Sequence, residues 1–158
     1  MKPYQVFSRM TPERAAEVFG RLSEETPAVY TQAVAAASRV MKARPRFLMK
    51  QPKERRANLL RQALSRVAAN ELAEEVLAAY FLQSRKPLLL EWLDAVGVEH
   101  DEGVLREDAP PAPPREQLEA AVAQFREGDQ AADRELLLQS FSSQSAVDWP
   151  DLRALLEE

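Results

Sequence analysis

The chain has no cysteine and a single histidine among its 158 residues. Without thiols it can form no disulfide framework, thiolate zinc site, iron–sulfur cluster or cysteine nucleophile. Its four glycines are scattered, so it lacks the glycine-rich loops that cradle phosphates or dinucleotides. No serine, histidine and aspartate stand in a pattern that supports a catalytic triad. We therefore expect a protein that is not an enzyme, with no catalytic residues, no cofactor and no bound metal.

Long apolar runs are also absent. No stretch approaches the roughly 18 consecutive apolar residues that span a bilayer, and the opening MKPYQVFSRM lacks the apolar core of a signal peptide. Isoleucine does not occur, and arginine outnumbers lysine by 16 to 5, a bias expected when codons are rich in G and C. These features predict a cytoplasmic protein of bacterial origin that does not bind membranes.

The one histidine stands in an acidic stretch. His100 is flanked by Glu99, Asp101 and Glu102, and carboxylates with one imidazole could hold a divalent cation. Consecutive residues of an extended segment point to opposite sides, however, and the stretch lacks the ligand spacing of a calcium-binding loop. We therefore predict a solvated turn, and the surrounding VEHDEGVL favours a short extended or hairpin segment around residues 100–103.

The composition is that of a globular domain. Apolar residues make up 46% of the chain and charged residues 29%, which is close to the average for such domains. A domain of this length removes roughly 68–70% of its unfolded surface from water. It can therefore hold a packed core without a metal or a disulfide.

Helix-start signals recur along the chain. Thr11 precedes a proline, which gives a hydroxyl N-cap followed by proline at the first helical position, and the same pair recurs at residues 26–27. Gly20 is the predicted end of the first of these helices, and Asn70 is the predicted N-cap of a later one. Further helices are predicted to follow Pro52 and Pro87.

These signals, with apolar residues on one face of each predicted helix, favour an all-α fold. We expect an irregular helical bundle or a short helical-hairpin, solenoid-like array, with six to eight helices and a proline-rich crossing segment. The array is suggested by a faint repeat, since TPERAAEVF and QPKERRANLL place Glu13 and Glu54 41 residues apart. The helix after Pro87 has the broadest apolar face, so Trp92 should lie in the core.

A stiff polyproline linker, APPAPP, occupies residues 109–114. It separates a main helical unit, residues 1–108, from C-terminal helices in residues 115–158. These 44 residues are few for an independent core. We therefore expect them to dock on the main unit, so that the chain forms a single compact domain.

Charge is unevenly distributed. Residues 39–66, called the basic segment below, contain ten basic residues and one acidic residue, a net charge of +9. Residues 1–38 sum to zero, and residues 67–158 carry −13. Six basic residues in the middle of the segment are the candidate partner-binding residues: Arg44, Arg46, Lys50, Lys53, Arg55 and Arg56.

Three interpretations of the basic segment stay open. The acidic half of the chain could pack near it and neutralise it, or it could bind an acidic protein partner, or it could bind nucleic acid through phosphate contacts. Phe47 is its only aromatic residue, so a base-stacking platform is missing, and no nucleic-acid recognition motif appears. The favoured function is non-catalytic protein–protein interaction, as an adaptor, and the alternative is nucleic-acid binding through residues 39–66. The sequence does not fix whether the chain self-associates.

Overall fold

The computed structural model describes residues 1–157, and within that range the chain is almost entirely helical, which confirms the predicted all-α bundle. Ten α-helices are present in residues 1–157 where six to eight were expected, because the two shortest are too short to show an apolar period in the sequence. The helices are α1 (Pro3–Arg9), α2 (Pro12–Glu25), α3 (Pro27–Met41), α4 (Pro45–Lys50), α5 (Lys53–Leu64), α6 (Asn70–Ala79), α7 (Lys86–Ala95), α8 (Arg115–Arg126), α9 (Ala131–Ser143) and α10 (Pro150–Glu157).

The chain divides into two compact units. The N-terminal unit comprises Lys2–Ser84 and contains α1 to α6, and the C-terminal unit comprises Arg85–Glu158 together with Met1. The N-terminal unit has 14 basic and 8 acidic residues, a formal net charge of +6, whereas the C-terminal unit has 7 and 17, a net charge of −10. The proline-rich segment 109–114 lies inside the C-terminal unit.

The first predicted helix start is confirmed and its predicted end is wrong. The Thr11 hydroxyl accepts a hydrogen bond from the backbone N–H of Arg14 at 3.1 Å, with proline at the first helical position of α2. Helix α2 then continues through Gly20 to Glu25. Phe19 and Leu22, on either side of the glycine, are buried, and their burial outweighs the roughly 1 kcal/mol by which glycine weakens a helix.

The prediction that Asn70 caps its own helix is also wrong. Asn70 is the first residue of α6, and its side chain makes no hydrogen bond to that helix. Its Oδ1 instead accepts from the backbone N–H of Tyr4 at 3.1 Å, in the first turn of α1. The side chain therefore satisfies a free N–H at the start of a helix 66 residues away in sequence.

The core of the N-terminal unit forms where α2, α3 and α5 pack together, with α1 packed against α5 and α6. Small side chains such as Ala33 and Ala57 are buried between these helices, which allows their backbones to approach closely. The rings of Phe7 and Phe19 stack at a centroid distance of 6.0 Å. A π-helical turn, Tyr80–Ser84, continues α6 and ends the unit.

A line of aromatic side chains forms the core of the C-terminal unit. Trp92 of α7 is completely buried, as predicted, and its ring lies 5.4 Å from that of Phe125 in α8 and 5.9 Å from that of Phe141 in α9. The ring centroids of Phe141 and Trp149 lie 5.1 Å apart. The indole N–H of Trp149 donates to the backbone carbonyl of Pro110 at 2.8 Å. The helices after the proline-rich segment thus share a core with α7, and Trp149 fixes the segment to that core.

Two buried charged residues at the start of α9 connect it to α7 and α8. Asp133 accepts a hydrogen bond from the guanidinium of Arg85 at 2.6 Å. Arg134 pairs with the Glu91 carboxylate, donates to the carbonyls of Asp129 and Phe125, and places its guanidinium 4.7 Å from the Phe125 ring centroid. Each buried charge is therefore paired, as the cost of desolvation requires.

The extended segment predicted around residues 100–103 is confirmed as a short antiparallel hairpin. Strand β1 (His100–Asp101) pairs with β2 (Val104–Leu105), with His100 opposite Leu105 and Asp101 opposite Val104. Glu102 and Gly103 make the turn with positive φ angles of 53° and 94°.

Candidate protein-interaction surface

The end of α3 and the start of α4 determine how the basic segment is displayed. Lys42 adopts the left-handed conformation, with φ of 54°, and the N–H of Ala43 donates to the carbonyl of Ser38 at 2.9 Å. This hydrogen bond closes the C-terminus of α3 in the manner of a Schellman motif. Pro45 then begins α4. The two helices are therefore separated by a tight, defined turn.

Helix α4 is a six-residue helix anchored by one buried side chain, Leu48. Arg56 of α5 holds its C-terminus, because the guanidinium donates to the carbonyl of Met49 at 2.9 Å. The same guanidinium lies 5.8 Å from the ring centroid of Tyr30 in α3. Arg56 thus links three helices.

Three of the ten basic side chains in the segment have internal partners. Besides Arg56, Arg66 donates to the carbonyl of Val40 at 2.9 Å, near the end of α3, and Arg61 donates to Asn58. None of the ten is ion-paired with a carboxylate of residues 2–84, where the pairs that form include Arg14–Glu17 and Arg21–Glu25. The other seven are solvent-exposed: Arg39, Lys42, Arg44, Arg46, Lys50, Lys53 and Arg55.

An open depression of about 480 Å³ lies at α4 and is lined by Arg44, Arg46, Phe47 and Lys50 together with Ala43. Phe47 is 48% exposed, and Met49 on the same short helix is 49% exposed. The aliphatic stems of the long cationic side chains contribute apolar lining while their charged ends stay in water. We call the exposed side chains of Arg44, Arg46, Phe47 and Lys50 the basic–apolar surface.

The structure brings together only part of the predicted partner-binding set. Arg44, Arg46 and Lys50 line the depression, whereas Lys53 and Arg55 are exposed on the first turn of α5 and do not line it. Arg56 is half-buried and braces α4. Five of the six residues are therefore accessible to a partner, and three of them surround one concavity.

Sequence reasoning missed the apolar half of this surface. Phe47 is the only aromatic residue of the basic segment, which argues against base stacking but does not indicate that its ring is exposed. A signal was available, because consecutive residues of a helix point about 100° apart, so a short helix between Pro45 and Pro52 cannot turn all of Phe47, Leu48 and Met49 toward one core. Leu48, the middle residue, is the one that is buried.

The side chains of the acidic stretch around His100 form hydrogen bonds within the stretch and with α7. The N–H of Gly103 donates to Nδ1 of His100 at 3.1 Å, so the ring proton lies on Nε2, which donates to Asp94 at 2.8 Å. The hydrogen bond and charge of Lys86 lower the pKa of Glu102. In residues 1–157, no three histidine, aspartate or glutamate side chains are grouped so that they could hold a metal ion.

Comparison with known proteins returns no match for this chain, whether among family models, curated proteins or solved structures. No helix in residues 1–157 has both the length and the apolar character needed to span a bilayer. The surface chemistry of the chain itself is therefore the basis for assigning a function.

Proposed function

We propose that this protein is a non-catalytic protein-interaction module, of the adaptor type, whose basic–apolar surface binds an acidic protein partner. The observation that carries the proposal is the position of a half-exposed Phe47 in a depression surrounded by Arg44, Arg46 and Lys50. We also retain, as part of the proposal, the bacterial cytoplasmic location that the composition indicates.

The apolar and the cationic side chains of this surface contribute to binding in different ways. Burying the remaining half of the Phe47 ring would contribute about 1 kcal/mol of hydrophobic free energy. Arginine guanidiniums form bidentate hydrogen bonds with carboxylates, and a cluster of like charges steers an oppositely charged partner toward the site. The surface therefore favours a partner segment in which an apolar side chain is flanked by carboxylates.

Nucleic-acid binding through residues 39–66 is the second candidate, and the eight exposed cations of the segment favour it. Phosphate binding alone would not require an exposed phenylalanine beside the cations. Single-stranded nucleic-acid sites stack bases on several aromatic rings, and Phe47 is the only ring in the segment. The apolar component of the surface is thus better matched by a protein.

The test is affinity capture from a nuclease-treated lysate of the source cell, with the full chain as bait. We compare wild type with Arg46→Glu/Lys50→Glu, and use Lys2→Glu/Arg9→Glu as a control that changes the net charge equally at exposed positions of α1 and the residue before it. Captured proteins should be acidic, should elute with salt, and should be lost with the first variant and retained with the control.

A direct measurement separates the two candidates. Phe47→Ala should weaken protein capture while it leaves the affinity for labelled duplex DNA or RNA unchanged, because phosphate contacts do not use the ring. If wild type binds nucleic acid tightly near physiological salt and Arg46→Glu/Lys50→Glu abolishes that binding, nucleic-acid binding replaces protein interaction as the function.

A further inference from the structure

Exposed apolar side chains point to a second surface that matches the first. In residues 1–157, four large apolar side chains are exposed: Phe47, Met49, Val67 and Val104. Phe47 belongs to the basic–apolar surface. Val104, which is 58% exposed, lies on strand β2 of the C-terminal unit, in a stretch of sequence rich in carboxylates. An exposed apolar side chain in a cationic segment thus has a counterpart in an acidic segment.

We call residues 99–108, which include the hairpin, the acidic hairpin. They contain five carboxylate residues and one arginine. Val104 is the cross-strand partner of Asp101, so the two side chains share one face of the hairpin. The five acidic residues are Glu99, Asp101, Glu102, Glu107 and Asp108.

Internal contacts join the two strands of the acidic hairpin and connect the hairpin to α7. Arg106 pairs with Asp101 at 2.8 Å across the strands, and Lys86 of α7 pairs with Glu102 at 2.7 Å. His100 links the hairpin to Asp94 at the end of α7. The remaining three carboxylates are exposed and are not ion-paired within the described part of the chain: Glu99, Glu107 and Asp108.

We infer that the acidic hairpin of one copy of this protein docks on the basic–apolar surface of a second copy. This inference rests on the proposed function, because it names a partner for the same surface. Val104 would enter the depression beside Phe47, and Glu107 and Asp108 would pair with Arg46 and Lys50. The depression of about 480 Å³ is open to solvent, so the valine side chain can approach the Phe47 ring from outside.

Charge complementarity supports this occupant. The surface that receives the hairpin belongs to a unit with a net charge of +6, and the hairpin belongs to a unit with a net charge of −10. Both partners carry their apolar residue within the charged patch, so the contact combines attraction with apolar burial. Each copy has both surfaces, so the contact is head-to-tail and generates rings or open chains of copies.

The interface would be small, because a ten-residue hairpin meets a six-residue helix. Interfaces of this size are weak and transient, and those formed by exposed charges weaken as salt rises. Sedimentation velocity on the full chain, from about 1 μM to about 1 mM, covers the affinities expected of weak contacts. The weight-average sedimentation coefficient should rise with concentration at low salt and fall back at high salt.

Charge exchange tests whether these two surfaces meet. Arg46→Glu/Lys50→Glu and Glu107→Lys/Asp108→Lys should each weaken association by more than about tenfold, whereas Lys2→Glu/Arg9→Glu should not. A chain with all four substitutions should associate again, because both surfaces have changed sign. Val104→Glu should weaken association without altering the basic surface. Thermal melts confirm that each variant is folded.

A protein that stays monomeric at every concentration and salt overturns the inference. So does association that survives both charge-reversed pairs, or a four-substitution chain that stays as weakly associated as either pair alone. In these cases the proposed function still stands if Arg46→Glu/Lys50→Glu abolishes capture of an acidic partner. If the protein self-associates but captures no other protein, the second copy is the occupant of the basic–apolar surface. That outcome would contradict the adaptor role.

Discussion

Gly128 leaves open the space that the guanidinium of Arg134 occupies, since a methyl group added to the glycine would overlap the guanidinium atoms. Arg134 cannot move away easily, because it is buried and is held by the Glu91 carboxylate and by the carbonyls of Asp129 and Phe125. The glycine after α8 is therefore required for the close approach of a charged side chain.

Gly128→Ala should destabilise the protein by about 1–3 kcal/mol, the cost of forcing an extra methyl group into a packed site. Gly20→Ala is the matched control, because nothing lies within 4 Å of a methyl group added there, in the middle of α2. That substitution should stabilise the protein by about 0.5–1 kcal/mol. Urea unfolding of both variants checks the opposite signs, and equal effects would contradict the packing described here.

The two tryptophans provide a second matched pair. The indole N–H of Trp149 donates to Pro110, whereas the indole nitrogen of Trp92 is buried with no hydrogen-bond partner among the described residues. Both residues are fully buried, so replacement by phenylalanine removes similar apolar contact. Trp149→Phe should cost about 1–3 kcal/mol more than Trp92→Phe, because it leaves the Pro110 carbonyl without its donor. Chemical denaturation measures the difference, and a larger loss for Trp92→Phe would refute this account.

Much of the helical framework could be predicted because its signals are local. Each signal acts within a few residues of chain. Examples are the hydroxyl of Thr11 followed by a proline, the proline before α5, and the broad apolar face around Trp92. Gly20 shows the limit of such signals, since burial of Phe19 and Leu22 overrides the glycine. Asn70 shows another limit, because its partner Tyr4 is brought to it only by the packing of α1 on α6.

The charge of the candidate site could be predicted from the sequence, but its shape could not. Composition alone located Arg44, Arg46 and Lys50 in a cationic stretch. It could not show that Phe47 stays half-exposed beside them, because that depends on which single side chain of α4 is buried. It also could not separate Arg55 from Arg56, adjacent residues of the same type whose environments differ only through tertiary contacts.

Titration of Glu102 should depend on Lys86. The Lys86 ammonium, through its hydrogen bond and its charge, lowers the pKa of Glu102 in the folded protein. Because the pKa of Glu102 is lower in the folded than in the unfolded protein, the pair with Lys86 stabilises the folded protein at pH values above the ordinary carboxyl pKa. This stabilisation is lost as the pH falls through the lowered pKa. Lys86→Gln should therefore raise the pKa of Glu102. Carboxyl-carbon NMR titration checks this, with Lys2→Gln as the control, and an unchanged pKa in Lys86→Gln would disprove the pairing.

Arg55 and Arg56 allow the support of α4 to be separated from partner binding. Arg56→Gln should destabilise the N-terminal unit by about 1–2 kcal/mol, because it removes a charged hydrogen bond to the Met49 carbonyl and the contact with the Tyr30 ring. Arg55→Gln should change the free energy of unfolding by less than about 0.5 kcal/mol, since an exposed side chain away from buried contacts is replaced. Amide hydrogen exchange should show faster exchange in α4 for Arg56→Gln alone. If the two variants unfold alike and exchange alike, Arg56 does not brace α4, and it would return to the set of residues available to a partner.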